Sequence, residues 1–378
     1  MQQPYAVERT LAVRAAITAA QLCEQVRKEQ QHKVITKTDQ SPVTIADFGA
    51  QATICRDLES TFPNDSIVAE ESATELRTKE LVESLHQVTH YVRTTIQNNN
   101  YDDDANNQQN ITHNNITPTQ VADWIDRGNS SGKNCDRFWT IDPIDGTKGF
   151  LRPNGQYAVA LSLIEKGIVK VGVLACPAFV MVEEVTDKVG WLFVAVRGQG
   201  AFRIPLENYT NVSVGDVTTA PAAAAVETPI RVGGTNTTSS SSSSSSSIIT
   251  ESNILRFVES VEADHGNQAR QGQIAKAVGI SPEHSLRMDS QAKYGAIATG
   301  SAALYLRLPS PDKPNRRENI WDHAAGVVIV EEAGGEVTDL HGKLLDFTTG
   351  NKLENNQGVV VSMGGALHDK VIQALRQQ

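Results

Sequence analysis

The stretch "IDPIDGTKGF", residues 141–150, sets Asp142 and Asp145 on either side of Pro143-Ile144 and follows them with Gly146, Thr147 and Gly149. Proline removes a ladder donor and glycine invites a sharp turn, so a central strand is expected to stop at Pro143. A turn there can present the Asp142 carboxylate, the Ile144 carbonyl and the Asp145 carboxylate on one side. Two carboxylates on a half-buried corner are costly unless a cation lies between them. Hard divalent cations take oxygen ligands, and Mg²⁺ commonly combines carboxylates with substrate phosphate. Gly146 and Thr147 then offer backbone N–H groups to an anion at the start of a helix or nest. A capping aspartate would explain one of the two acids and leave the other unexplained.

Around this corner the pattern is β. Residues 137–142, 156–164, 168–175 and 190–196 read as strands, with turns at Lys166-Gly167 and Gly198-Gln199-Gly200. Tight turns between consecutive strands predict an antiparallel meander. Upstream, Ala12, Ala16, Ala19, Cys23 and Val26 repeat at helical spacing within residues 8–30. A second helix is expected over 41–60, capped by Ser41 with Pro42 in its first turn. A short strand at 66–71 ends in Glu70-Glu71. Downstream, strands at 285–290, 303–309 and 358–362 alternate with helices beginning near Gln291, at 323–335 and at 366–376. Two layered halves, 1–205 and 206–378, fit this order of α+β and α/β elements. The Asn-rich stretch 97–115 and the serine tract 235–247 read as surface insertions.

The chain has 378 residues, enough for about two domains. Lys and Arg number 34 against 44 Asp and Glu, so the net charge is −10, with no long basic run. Nucleic acid and anionic membranes are therefore excluded as general partners. The four cysteines show no CxxC spacing and read as reduced, buried thiols. "MQQPYAVERTLAVRAA" lacks the pattern of a secretory signal, and no stretch approaches a membrane span. The expected location is the cytoplasm, with an organelle address left open.

Further acids stand at the ends of predicted elements, and each has an ordinary reading. Asp47 follows Thr44 at capping-box spacing. Asp322 precedes a helix as a cap would. Glu70 and Glu71 read as solvated charges at a strand end. His323 has no partner at metal spacing and reads as a helix-surface residue or one packed behind Asp322. Lys293 and Arg307 read either as exposed charges or as phosphate ligands.

Taken together the motifs resemble those of the lithium-sensitive inositol monophosphatase-like phosphatase superfamily. "SPVTIAD" (41–47), "AEES" (69–72), "DPIDGT" (142–147) and "WDHAAG" (321–326) occur in that family's order. Within it, "DPIDGTKGFLR", "DSQAKYG", "YLRLP" and "IWDHAAG" look most like the 3′(2′),5′-bisphosphate nucleotidases. The resemblance implies a layered α-β-α-β-α sandwich with the site between its halves, as in fructose-1,6-bisphosphatase. It implies that Glu70, Asp142, the Ile144 carbonyl, Asp145 and Asp322 hold two or three Mg²⁺ ions. It implies that Asp47 and Thr147 help deprotonate the attacking water, and that Gly146 and Thr147 hold the scissile phosphate. It further implies that His265, Ser290, Lys293, Arg307 and Asp322 face the nucleotide. Relatives often carry glycine where this chain has Ala69.

The activity implied is Mg²⁺-dependent removal of the 3′-phosphate of adenosine 3′,5′-bisphosphate, extending to the 2′,5′ isomer and the sulfated relative, by a monomer. An inositol mono- or polyphosphate phosphatase would share the mechanism and differ in substrate. A nucleotide sensor without turnover would not need every acid that is present.

Overall fold

The computed structural model describes residues 3–29, 34–36, 42–99, 116–153, 155–181, 189–206, 227–233, 255–262 and 267–377. His265, the serine tract 235–247 and residues 100–115 of the Asn-rich stretch lie outside them. The elements of the first half are α1 (Ala6–Lys28), β1 (Val34–Thr36), β2 (Pro42–Thr44), α2 (Ile45–Thr61), β3 (Ser66–Ala69), α3 (Val82–Asn98), α4 (Pro118–Asp126), β4 (Arg137–Asp145), α5 (Thr147–Phe150), β5 (Ala158–Glu165), β6 (Ile168–Cys176), β7 (Trp191–Val196) and β8 (Gly200–Pro205). There follow β9 (Thr228–Ile230), β10 (Phe257–Glu259), α6 (Gln268–Ala277), β11 (Leu286–Arg287), α7 (Ala292–Ala298), β12 (Leu304–Arg307), α8 (Ala324–Glu332), β13 (Glu336–Thr338), β14 (Val359–Ser362) and α9 (Ala366–Arg376).

Two large sheets carry the fold. The first has seven strands in the order β3 to β9, a meander in which only the β3–β4 pair is parallel. It takes its last strand, β9, from beyond residue 205. The second has five strands in the order β11-β10-β12-β14-β13. There β10 runs parallel to both neighbours, and β14 runs antiparallel to β12 and β13.

Strand periodicity sorts the side chains into three cores and so sets the layers. On β5, Val159, Leu161 and Leu163 face a core shared with α1, α2, α3 and α4, whereas Ala158, Ala160 and Ile164 face a second core. That second core lies between the sheets and contains α7 and α8. On β14, Val359 and Val361 enter it from the other side, while Val360 turns outward to a third core under α6 and α9. Helix, sheet, helix, sheet and helix thus alternate, as the layered-sandwich expectation required. Away from the strand ends, β4, β5, β6 and β7 are largely covered on both faces, which explains their nearly unbroken apolar runs.

Most predicted elements occur within a few residues of their expected bounds, and three differ. First, β4 continues through Pro143 to Asp145. Its parallel partner β3 ends opposite Ile141, and the β5 register shifts between Asp142 and Asp145. Pro143 therefore falls in a bulge, where a ladder donor is not missed. Second, residues 42–44 form a strand, and α2 starts at Ile45 behind Thr44, which makes the capping box with Asp47. Pro42 pairs with Thr36 in a small hairpin and takes no part in the helix. Third, the stretch 97–115 does not begin as an insertion, because Gln97 and Asn98 complete α3. The turn between β5 and β6 uses Lys166 and Gly167, both left-handed at φ 49° and 74°, the geometry that suits a twisted hairpin.

Candidate active site

The acids gather where the parallel strands β3 and β4 end. Glu70 follows β3, and Asp142, Ile144 and Asp145 close β4. Gly146 then turns the chain into α5 at φ 88°. A Cβ at Gly146 would also lie 3.1 Å from the Cβ of Ser290, so both the turn and the packing require glycine. Oxygens of Asp142, Asp145 and Asp322 come within 4.8 Å of one another. Asp142 and Glu70 share a hydrogen bond. Glu70 itself is solvent-exposed, but Glu71 is not the solvated charge that its position suggested. Glu71 is buried, with its backbone clamped by Gln51, which receives the Glu71 N–H at 2.9 Å and donates to the Glu71 carbonyl at 2.6 Å.

Burial and mutual repulsion weigh on this cluster. Asp142 is pushed well above the carboxylate range by burial, then by Glu70, Asp145 and Asp322. Asp322 is pushed up to about 7 by burial and Asp145. Burial also raises Asp145, opposed by the charge of Lys293. Oδ1 of Asp142 is buried and has no hydrogen-bond partner among the described residues. Such an orphaned buried oxygen, inside a set of carboxylates, fits hard divalent cations.

Asp322 does not cap α8. The cap position is His323, and Asp322 Oδ2 accepts instead from Asn319 Nδ2 at 3.4 Å, leaving its carboxylate with the other acids. Asp47 makes the capping box and also reaches Thr147. Its Oδ2 accepts from the backbone N–H and hydroxyl of Thr44 at 2.8 and 2.6 Å, and its Oδ1 stands 3.5 Å from the Thr147 hydroxyl. The Thr147 hydroxyl also lies 3.4 Å from the Ile144 carbonyl.

The C-terminal half brings Ser290, Lys293 and Arg307 to the same place. Ser290 is left-handed at φ 65°, a conformation that aims the next N–H, from Gln291, at Asp145 Oδ2. Lys293 is not an exposed charge. It is 4% exposed, its Nζ lies 5.2 Å over the Tyr305 ring, and burial pushes its amine down to about 8 against the pull of Asp145. Arg307 is half-buried at the end of β12, with Nε 3.3 Å from Glu318 Oε2. Burial works against both charges of that pair, yet each holds the other ionised, so Glu318 lies well below its ordinary value and Arg307 above. His323 sits behind Asp322, buried, with Nδ1 2.7 Å from the Tyr294 hydroxyl.

Gln291 and Glu318 are the functional residues that motif reading passes over. Gln291 lies inside "DSQAKYG", but nothing in its pattern marks it as a buried bridge. Glu318 follows the polar run 309–317, where no periodicity exposes a buried acid.

Comparison with known proteins follows the same lines. The inositol monophosphatase family matches residues 5–378 of the chain. A 3′(2′),5′-bisphosphate nucleotidase of Emericella nidulans is 38% identical over 99% of this chain and 98% of its own. One from Schizosaccharomyces pombe is 37% identical over 97% of this chain and 94% of its own. Among solved structures, CysQ from Bacteroides thetaiotaomicron, a bacterial member of the inositol monophosphatase family, superposes with a TM-score of 0.55 at 18% identity. It covers 96% of this chain and 99% of its own. No helix among the described residues is long and apolar enough to cross a membrane.

Proposed function

The chain belongs to the inositol monophosphatase family, and from that premise we propose that it is a Mg²⁺-dependent phosphatase that removes the 3′-phosphate of adenosine 3′,5′-bisphosphate to give AMP. The same site would serve the 2′,5′ isomer and the sulfated relative. Relatives with near-complete coverage carry the name 3′(2′),5′-bisphosphate nucleotidase. The observation that supports the substrate class is two cations beside the acid cluster, Lys293, which is buried, and Arg307, which is half-buried. A second phosphate on the substrate would add an anion to the partners they already have, Glu318 for Arg307 and Asp145 for Lys293.

Glu70, Asp142, the Ile144 carbonyl, Asp145 and Asp322 would hold the ions. Bound there, divalent cations offset the charge on phosphate and make a nearby water acidic near neutral pH. Thr147 and Asp47 then handle the proton. A water that gives its proton to Thr147 Oγ1 allows the hydroxyl hydrogen to pass to Asp47 Oδ1, while Thr44 holds the other Asp47 oxygen in place. The N–H groups of Gly146 and Thr147 face the scissile phosphate in this reading, and Ser290 lines the wall opposite Gly146. Positioning and charge neutralisation, rather than covalent catalysis, suit phosphoryl transfer. The reading takes the protein as a monomer, and its net charge of −10 is no obstacle to an anionic substrate where local cations supply the attraction.

Phosphate release with Mg²⁺ tests the assignment. The kcat/KM for adenosine 3′,5′-bisphosphate should exceed that for inositol 1-phosphate and inositol 1,4-bisphosphate by about 10-fold or more, the size of a charge-assisted contact. A preference for either inositol phosphate overturns it.

A further inference from the structure

Glu318 is not one of the metal ligands in the reading above, yet it is 7% exposed, and its carboxylate lies within 4.8 Å of ligand atoms of Asp322 and His323. A buried carboxylate persists only where something compensates it. Here its Oε2 stands 3.3 Å from Arg307 Nε and 3.8 Å from His323 Nε2. His323 is fixed from behind by the Tyr294 hydroxyl, and the Tyr294 ring meets Tyr305, two residues before Arg307, edge-on at 5.7 Å. Glu318 is thus the joint between the arginine of β12 and the loop that ends in Asp322.

Asp322 and Asp145 are further anions within electrostatic reach of Arg307. Without Glu318, these are where the guanidinium would turn. An arginine lying on the acids could neither meet a phosphate nor leave the carboxylates to cations.

We propose that Glu318 is a positioning residue that sets substrate specificity: it holds Arg307 on its own carboxylate, away from Asp145 and Asp322, and so keeps the guanidinium available to the phosphate that is not cleaved. Arg307 has that task only under the proposed function, so the experiment is built to separate the two.

KM and kcat are measured for adenosine 3′,5′-bisphosphate and for adenosine 3′-monophosphate, which keeps the scissile group and lacks the second phosphate. Glu318→Gln should raise KM for the bisphosphate about 10-fold with kcat changed less than about threefold, and should leave KM for the monophosphate within about threefold. Glu318→Asp, which keeps the charge, should restore most of the loss. In an Arg307→Ala background, Glu318→Gln should add nothing, the coupling expected of residues that act as one unit. If Glu318→Gln does not fold, Arg307→Lys puts the same question from the other partner, since lysine keeps the charge and loses the Nε contact. It should show the same loss on the bisphosphate alone.

If Arg307→Ala harms both substrates alike, the assignment of the second phosphate to Arg307 fails, and the proposal with it. If Arg307→Ala is selective but Glu318→Gln is unselective or additive with it, only the role of Glu318 is overturned.

Discussion

The backbone N–H of Gln291 donates to Oδ2 of Asp145 at 2.6 Å, joining a carboxylate at the end of one sheet to the helix that leads into the other. The Gln291 side chain extends the joint. Its Nε2 donates to the Trp321 carbonyl at 2.9 Å, and its Oε1 accepts from Gly326 N at 3.3 Å. One residue therefore sets Asp145 through its backbone and the entry to α8, with Asp322, through its side-chain amide.

Gln291→Leu keeps the volume and orphans both the Trp321 carbonyl and the Gly326 N–H. Each orphaned buried group costs about 1–3 kcal/mol, so the two together should make the variant about 2–6 kcal/mol less stable. Half-saturation by Mg²⁺ should also shift to higher concentration, because the segment that carries Asp322 loses its side-chain anchor to Gln291. Urea unfolding and a Mg²⁺ activation curve measure the two effects. Normal stability with normal Mg²⁺ dependence would mean that the bridge holds nothing in place.

Asp142→Asn separates metal binding from folding. Without metal, burial and the neighbouring Glu70, Asp145 and Asp322 disfavour the ionised form of Asp142. Removing that charge should leave the metal-free protein as stable as the wild type or more stable. Mg²⁺ at about 100 times its Kd should stabilise the wild type by about 2.7 kcal/mol and the variant by little. Turnover should fall by at least about 10²-fold. Thermal melts with Mg²⁺ and with a chelator decide it, and an unchanged Mg²⁺ shift would remove Asp142 from the ligands.

The fold was legible where burial imposes a period. The strands of the meander and the final helix are apolar stretches bounded by turns, so their places followed from pattern. Pro143 misled because a bulge cannot be seen in one strand: it depends on where β3 ends and how β5 pairs. Ala69 shows the same dependence on distant residues. A Cβ added at Gly128 would lie 2.6 Å from the Cβ of Ala69, so the extra methyl is accommodated by a glycine far along the chain. The acids were legible as motifs, but their arrangement was not. Glu71, Gln291 and Glu318 are buried polar groups, and their partners come from segments whose meeting only the tertiary fold decides.

His368 should make stability depend on pH well away from the site. It is buried under α9, with Nδ1 2.9 Å from the Ser362 hydroxyl and Nε2 2.9 Å from the Thr338 hydroxyl. Burial lowers its pKa, against the charges of Glu336 and Asp369. The unfolded chain therefore takes up a proton at about 6.5, where the folded chain still resists it. Unfolding binds protons, so stability should fall as pH drops below about 6.5, until the lowered folded value is reached. His368→Gln should be less stable at pH 7.5 and should lose this part of the slope. Urea unfolding at pH 7.5 and 5.5 on both proteins tests it, and parallel slopes would clear His368 of the effect.

Lys293 offers the cleanest separation of function from stability. A buried amine pushed down to about 8 is held at a cost to the fold. Its Nζ lies over the Tyr305 ring, and methionine can fill the same buried space while removing the charge. Lys293→Met should therefore melt at the wild-type temperature or above it. If the amine serves the uncleaved phosphate, the same change should raise KM for adenosine 3′,5′-bisphosphate by about 10–100-fold, the range of a charge-assisted contact of about 1.5–3 kcal/mol. Adenosine 3′-monophosphate should be nearly indifferent to it. A stabilised protein with a selective loss on the bisphosphate marks a charge kept for its ligand. A destabilised protein that loses both substrates equally would instead make Lys293 a counter-charge to Asp145, and the choice between nucleotide and inositol substrates would rest on Arg307 alone.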